Sequence, residues 1–208
     1  MSRENWKSIQ RCDYKIIAEM IPPGSSVLDI GCSEGELLLS LKNEKKCQIQ
    51  GIEIDFGHIV QATSRGIPVI QHNVEKGMPF IPDTFYDYVI LSRTLQVLLQ
   101  PGKVLEEILR ISKHAVVSFP NFGHYQIRSY LFFQGLMPKS NILPFEWYNT
   151  PNIHLITIED FKEYCRNRDI AIEQEIYLDV DSPGNFSGFF NRLAPNLFAQ
   201  YGIYLLKR

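Results

Sequence analysis

Short apolar runs alternate along the chain with longer segments whose apolar residues have helical spacing. Five runs in the amino-terminal part predict buried strands: SVLDI, QIQGIEI, IPVIQ, FYDYVILS and HAVVSF. The segments between them, such as GELLLSLKNEK, DFGHIVQATSRG and GKVLEEILRISK, predict helices. A further helix, TIEDFKEYCRNRD, is followed by two late strands, IAIEQEIYL and YGIYLLKR.

This alternation predicts an α/β fold of the doubly wound, Rossmann-like type. We expect a mostly parallel seven-stranded sheet with helices on both faces and right-handed crossovers. Residues 1–208 contain no internal repeat, low-complexity segment or long linker, so a single domain is predicted. In such sheets, ligands bind beyond the carboxyl ends of the strands.

Composition and charge narrow the range of partners. A net charge of -2 over 208 residues gives no general attraction to nucleic acid or to anionic lipid. The polar start MSRENWKSIQRCDYK lacks the apolar core of a signal peptide, and no apolar run is long enough for a membrane span. We therefore expect a cytoplasmic protein with neither nucleic acid nor membrane as partner. The four cysteines form no CxxC pair, and no cluster has metal-ligand spacing.

The first candidate site is the turn in DIGCSEG. Gly31 and Gly35 flank the junction between the first strand and its helix, where the absence of side chains lets a ligand approach the backbone. A tight turn without a ligand is the alternative. Glu53 ends the second strand about twenty residues later, where a carboxylate can accept both hydroxyls of a ribose. The combination favours a nucleoside-type cofactor.

The spacing of the glycines bears on which cofactor is bound. A dinucleotide fingerprint is G-x-G-x-x-G, whereas GCSEG has Ser33 at the position of the middle glycine that admits a pyrophosphate. S-adenosyl-L-methionine (SAM) has no phosphate to admit. The turn therefore favours SAM or its product S-adenosyl-L-homocysteine (SAH) over a dinucleotide.

The motifs VLDIGCSEGELL, GIEID, FYDYVILSRTLQ and VVSFPNFGH resemble those of class I SAM-dependent methyltransferase domains. With MPKSNILPFEWYNTPNIHLITIEDF added, nearly the whole chain resembles the methionine-biosynthesis protein MetW family. The resemblance implies that Asp29 helps to hold the methionine amine and that Gly31, Cys32 and Gly35 lie under the methionine and ribose. It also implies that Glu53 binds the ribose hydroxyls.

The same resemblance assigns two further positions. Asn73 occupies the place where many relatives have an aspartate that accepts from the adenine amino group, and Ser92 lies where the methionyl sulfur is expected. The departures at Ser33 and Asn73 leave a weak or vestigial cofactor site as an alternative.

Catalytic residues are harder to identify than binding residues. The segment after the fourth strand, LSRTLQ, lacks the [N/D]-P-P-[Y/F/W] motif of amino-methyltransferases. The candidate bases are His124, the adjacent Tyr125, and His154. For each of them a purely structural role is the alternative. We therefore leave open whether the chain is an enzyme.

The segment from about residue 122 to 154 contains the most aromatic part of the chain, from Phe122 to Tyr148. It predicts a lid over the cofactor, a docking surface for a partner, or a helix and loop that pack on the sheet. The resemblance implies association with homoserine O-acyltransferase, acetyl or succinyl, whose activity the chain would support with SAM as a regulatory ligand. A SAM-dependent methyltransferase that acts on a small molecule is the alternative function.

Overall fold

The computed structural model describes residues 13–140, 143–179, 191 and 193–208. In these residues seven strands form one sheet: β1 Ser26–Ile30, β2 Gln48–Glu53, β3 Val69–Gln71, β4 Tyr86–Ser92, β5 Ser112–Pro120, β6 Ala171–Leu178 and β7 Tyr201–Lys207. The strand order is β3-β2-β1-β4-β5-β7-β6. Neighbours among β1–β5 are parallel, whereas β7 is antiparallel to both β5 and β6. The predicted mostly parallel seven-stranded sheet is confirmed.

Helices cover both faces of the sheet. Their bounds are 13–20 for α1, Glu36–Lys45 for α2, Phe56–Ser64 for α3, Pro101–Ile111 for α4, Tyr125–Gln134 for α5, Ile158–Arg166 for α6 and Pro195–Phe198 for the one-turn α7. Helices α4 and α6 pack on one face with Leu28 and Val89, and α1, α2 and α3 pack on the other with Val27 and Ile90. Successive strand residues thus point to opposite cores, as parallel strands buried on both faces require.

Local sequence signals set several of the helix bounds. Thr157 and Asp160 form a capping box at the start of α6, each side chain accepting from the other's backbone N–H. Pro101 begins α4, where its missing N–H costs nothing. The predicted helix GKVLEEILRISK ends earlier than its apolar pattern suggested, because Ser112 already pairs with Tyr86 of β4 as the first residue of β5.

Asn121 connects four parts of the chain immediately after β5. Its fully buried side-chain amide donates to the carbonyl oxygens of Asn196 at 3.1 Å and Ala199 at 2.7 Å. Its side-chain oxygen accepts from Gly123 N at 2.9 Å and Ile158 N at 3.3 Å. All four hydrogen-bonding positions of the amide are filled, so this residue of the FPNFGH segment fixes the approach to β7 and the starts of α5 and α6.

Two classes of feature are absent from the part of the chain that the structure describes. None of its helices combines the length and the apolar character that crossing a membrane requires. No group of three or more His, Cys, Asp or Glu side chains in the same residues is placed to hold a metal ion.

Candidate functional site

The candidate site lies where β1 and β4 are neighbours and the strand order reverses direction. The connections that follow these two strands lead away from each other, which leaves a crevice beyond their carboxyl ends. Two adjoining clefts occupy this position. Cleft A, of about 430 Å³, lies toward β2, and cleft B, of about 290 Å³, lies toward β5 and the segment 144–152. Gly31, Ser33, Thr94 and Val97 line both clefts, so the two are parts of one crevice.

The turn after β1 follows a left-handed backbone path that shapes the wall between the clefts. The φ angles of Gly31, Ser33 and Gly35 are 73°, 49° and 76°. Gly31 N donates to Ile52 O at 2.8 Å, and a Cβ on Gly31 would lie 2.8 Å from Thr94 Oγ1. A side chain at Gly31 would therefore meet both an unfavourable φ and a blocked position.

Gly35 and Cys32 have different surroundings from Gly31. A Cβ on Gly35 would lie 2.2 Å from Ile67 Cδ1, so its missing side chain makes room for the core rather than for a cleft. Cys32 is buried and packs against Gly51, where a Cβ would lie 2.4 Å from the Cys32 sulfur. Burial raises the pKa of the Cys32 thiol to about 12, so the thiol stays protonated at neutral pH. Neither residue lines cleft A or cleft B.

Glu53 joins the turn after β1 to the loop after β2. Its Oε2 accepts from Ser33 N at 2.9 Å, and its Oε1 accepts from Ile54 N at 2.7 Å and Asp55 N at 2.9 Å. These three N–H donors compensate for the burial of the carboxylate, which lies at the end of β2 in the wall of cleft A. A carboxylate has about four acceptor positions. Glu53 thus retains acceptor capacity for a hydroxyl of a ligand.

Asp29 lies beneath the turn, on β1, and lines neither cleft. Burial, reinforced by the charge of Glu53, raises the pKa of Asp29 from 3.8 to about 8. Its carboxyl is therefore protonated at neutral pH. A cation bound nearby would favour the ionised form and lower this pKa.

Asn73 and Ser92 line different clefts. Asn73 precedes the short 3-10 helix Val74–Lys76 and lines cleft A, and its side-chain oxygen accepts from Glu75 N at 3.0 Å. Ser92 lines cleft B, with its hydroxyl 3.1 Å from that of Ser118. The structure thus brings four of the predicted cofactor residues, Gly31, Glu53, Asn73 and Ser92, to one crevice.

Arg93 is a residue of this site that sequence reasoning missed. It has a left-handed φ of 52°, and its guanidinium donates to the buried carboxylate of Asp13 at 2.8 and 3.0 Å. The same guanidinium lies 4.6 Å from the centre of the Tyr201 ring. The ion pair fixes the start of α1 beside cleft B and places Tyr14 in its wall. The only sequence signal was a basic residue directly after β4, because its partner lies 80 positions away.

Gln96 fixes the segment that closes the other side of cleft B. Its side-chain amide donates to Arg93 O at 2.7 Å, and its backbone oxygen accepts from Ile153 N at 2.8 Å and His154 N at 3.1 Å. The segment before Ile153 contributes Phe145 and Asn152 to the wall. One residue thus connects the loop after β4 to the aromatic segment.

The candidate bases lie away from both clefts. His124 is buried at the start of α5, where its Nδ1 accepts from Gln126 N, and Tyr125 lies on the surface of that helix. His154 lines a separate pocket, together with Leu105 and Phe161. None of these three side chains lines cleft A or cleft B. The described walls hold polar groups, among them His58 and His72 in cleft A, but none of the three predicted bases.

Solved structures share this architecture at low sequence identity. A SAM-dependent methyltransferase from Mesorhizobium loti is 15% identical, with a TM-score of 0.67 over 93% of this chain and 96% of that one. A magnesium protoporphyrin IX methyltransferase from Synechocystis PCC 6803, with SAH bound, is 13% identical, with a TM-score of 0.62 over 98% and 82% of the two chains. At these identities the likeness establishes the fold, which is that of SAM-dependent methyltransferases.

Comparison of sequences identifies the family, which the shared fold alone does not. The family model described as methionine biosynthesis protein MetW matches residues 11–206. A curated relative, the bifunctional methionine biosynthesis protein MetXA/MetW of Rhodopirellula baltica, is 36% identical in an alignment of 178 residues that covers 81% of this chain. The chain spans only 29% of the length of that relative. The chain therefore belongs to the methionine biosynthesis protein MetW family.

Proposed function

We propose that the chain binds homoserine O-acyltransferase and supports its activity, with SAM as a regulatory ligand. The observation that carries the proposal is the Rhodopirellula relative, in which MetW shares one polypeptide with MetXA, the part that we take to be the homoserine acyltransferase. Fusion keeps two activities at equal amounts and at high effective concentration. The same association is proposed for this chain, and a cytoplasmic location would suit it.

The crevice supports SAM as the ligand of this proposal. Cleft A has acceptors for a nucleoside: Glu53 for the ribose hydroxyls and Asn73 for the adenine amino group. Cleft B offers Ser92 near the methionyl group, and the two clefts meet at Gly31. SAM is also the downstream product of methionine synthesis, so its concentration is a useful signal for an early enzyme of that pathway. A ligand changes the activity of a complex only if it binds two states of the complex with different affinity.

The test is the initial rate of the same organism's homoserine O-acyltransferase, assayed with acetyl-CoA and with succinyl-CoA. Four conditions are compared: the enzyme alone, with SAM, with this chain, and with both. We expect the chain to raise the rate and SAM to change that effect only when the chain is present. A rate that does not respond to the chain would contradict the proposal.

A SAM-dependent methyltransferase that acts on a small molecule is the second candidate. It is favoured by the shared fold and by the continuity of cleft A with cleft B, which could hold a methyl acceptor beside SAM. The absence of the predicted bases from the two clefts is the reason it is placed second. Transfer of labelled methyl from SAM to a metabolite extract, abolished by Glu53→Ala, would reverse the order.

A further inference from the structure

Helix α5 exposes an apolar surface that the described residues leave uncovered. Of its ten residues, Ile127 alone is buried. Phe132 and Phe133 are 82% and 76% exposed, with their rings edge to face at 5.1 Å. The α5 surface consists of these two side chains and four more exposed ones: Tyr130, Leu131, Leu136 and Met137. Exposed large apolar side chains concentrated on one short segment are typical of an interaction site.

The α5 surface also lacks charge. From Tyr125 to Met137 the sequence holds one charged residue, Arg128, and its guanidinium donates within the chain to Gly123 O. Depletion of charge with enrichment of aromatic residues and methionine is typical of the buried centre of a protein interface. A nucleic acid or an anionic lipid surface would instead require several basic side chains. The composition therefore selects an apolar protein surface as the occupant.

The chain after α5 leads directly from this surface to the ligand crevice. Gly135 ends the helix in a left-handed conformation, and in the following segment Lys139 and Glu146 form an ion pair. Trp147 is 73% exposed, whereas Phe145, two residues earlier, lines cleft B. A protein bound to α5 would therefore lie next in sequence to a segment that forms part of the wall of cleft B.

We propose that the α5 surface is where homoserine O-acyltransferase docks on this chain. This inference rests on the proposed function and adds to it the surface of contact. The fused relative indicates which protein occupies the surface. A large, apolar and uncharged interface is typical of a permanent partner rather than a transient one, and a partner present in equal amount can be permanent. Phe145 connects the ligand crevice to that interface, because it lines cleft B and belongs to the segment that follows α5.

The test compares two exposed variants of α5 with a matched control elsewhere. Phe132→Ser combined with Phe133→Ser removes the most exposed aromatic rings, and Leu136→Asp independently introduces a charge into the same surface. Phe85→Ser is the control, because Phe85 is 59% exposed and precedes the amino end of β4, at the opposite end of that strand from the crevice. Each variant is purified as the full chain, and its fold is checked by circular dichroism and thermal unfolding.

Affinity for the acyltransferase is then measured by isothermal titration calorimetry. We expect both α5 variants to weaken binding by at least about thirtyfold and Phe85→Ser by less than about threefold, because binding energy concentrates in central aromatic residues. Stimulation of the acyltransferase should fall in parallel. Unchanged affinity of the folded α5 variants would overturn the proposed surface and leave the proposed function intact.

Two other outcomes would also overturn the inference. If the unaltered chain does not bind the acyltransferase at all, the proposed function fails together with this surface. If sedimentation velocity shows that the α5 variants convert a dimer of this chain into a monomer without changing affinity for the acyltransferase, the surface joins two copies of the chain.

Discussion

Arg93 and Asp13 form a two-bond ion pair at the edge of cleft B, although 80 positions separate them in the chain. The Asp13 side chain is 1% exposed and that of Arg93 is 14% exposed. The pair connects the start of α1 to the loop after β4, where Arg93 has a left-handed backbone conformation. Removing one partner of a buried ion pair is strongly destabilising.

We therefore expect Asp13→Asn to lower the free energy of unfolding by about 3 kcal/mol, as measured by urea denaturation. Lys113→Met is the control, since it breaks an exposed ion pair with Asp87 and should cost less than about 1 kcal/mol. A double-mutant cycle with Arg93→Met isolates the coupling between the two side chains. Equal costs for Asp13→Asn and Lys113→Met would contradict the structural importance of this pair.

The raised pKa of Asp29 predicts a specific pH dependence of stability. The folded chain keeps a proton on this carboxyl up to about pH 8, whereas the unfolded chain loses it near the ordinary value of 3.8. The free energy of unfolding therefore falls as pH rises between these two values. Asp29→Asn should remove that contribution. The free energy of unfolding of the variant should therefore rise relative to that of the original chain as pH rises from 5 to 8.

Urea denaturation at pH 5, 6.5 and 8 measures the effect. One unit of pKa difference corresponds to about 1.4 kcal/mol, so a relative gain on the order of 2 kcal/mol or more is expected across this range. A difference between the two chains that stays constant with pH would show that Asp29 is ionised in the folded state.

The conformation of Gly31 predicts that even a methyl group there damages the crevice. Gly31→Ala places a Cβ 2.8 Å from Thr94 Oγ1, in the wall shared by both clefts. Gly24→Ala is a matched control, because Gly24 has a similar φ of 78° but no atom within 4 Å of the added Cβ. Both variants carry the same backbone strain.

If the crevice binds SAM, calorimetry should show about tenfold or greater loss of affinity for Gly31→Ala and little change for Gly24→Ala, because the Gly31 variant alone must displace the wall. Equal affinities in two folded variants would place the ligand elsewhere.

Glu53 is expected to contribute to both the fold of the crevice and its affinity. Glu53→Gln replaces an acceptor oxygen by an amide that faces backbone N–H donors, so at least one of the three hydrogen bonds is lost. We expect SAM affinity to fall by about tenfold or more and the free energy of unfolding to fall by about 1–3 kcal/mol.

Glu34→Gln is the control for Glu53→Gln. Glu34 lies in the same turn, but its carboxylate pairs with Arg65 outside the clefts. Its change should affect SAM affinity less than about threefold, since an exposed ion pair contributes little. A larger effect from Glu34 than from Glu53 would contradict the assigned role of Glu53.

The position of Phe145 predicts that ligand and partner binding are coupled. Phe145 lines cleft B and lies in the segment that follows the α5 surface. We expect SAM to change the affinity of the chain for homoserine O-acyltransferase by about fivefold or more, and Phe145→Ala to reduce this ratio toward one. Because coupling is reciprocal, the acyltransferase must change SAM affinity by the same factor. A coupling that Phe145→Ala leaves intact would exclude this route.

The sequence was sufficient to predict the fold and part of the candidate site. Alternating strand and helix patterns gave the seven strands, because buried parallel strands and amphipathic helices leave distinct local periodicities. Gly31 and Glu53 were recognisable because they lie at strand ends, and the carboxyl ends of parallel strands meet at one edge of the sheet.

Other parts of the site depend on contacts that no local pattern records. The sequence did not indicate that Gly35 makes room for Ile67, that Arg93 pairs with Asp13, or that Gln96 fixes the segment at Ile153. The sequence also did not indicate that His154 lies in a pocket of its own, apart from the two clefts. These are relations between residues distant in the chain.

The sequence by itself determined the type and order of the elements, the family, and the residues at the ends of β1 and β2. Tertiary structure alone decided which side chains share a cleft and which charges are buried as pairs. It also decided that the described residues leave α5 uncovered while the aromatic residues around it differ in exposure. The physical reason is that periodicity and turn chemistry act over a few neighbouring residues, whereas burial and pairing are set by the packing of the whole sheet with its helices.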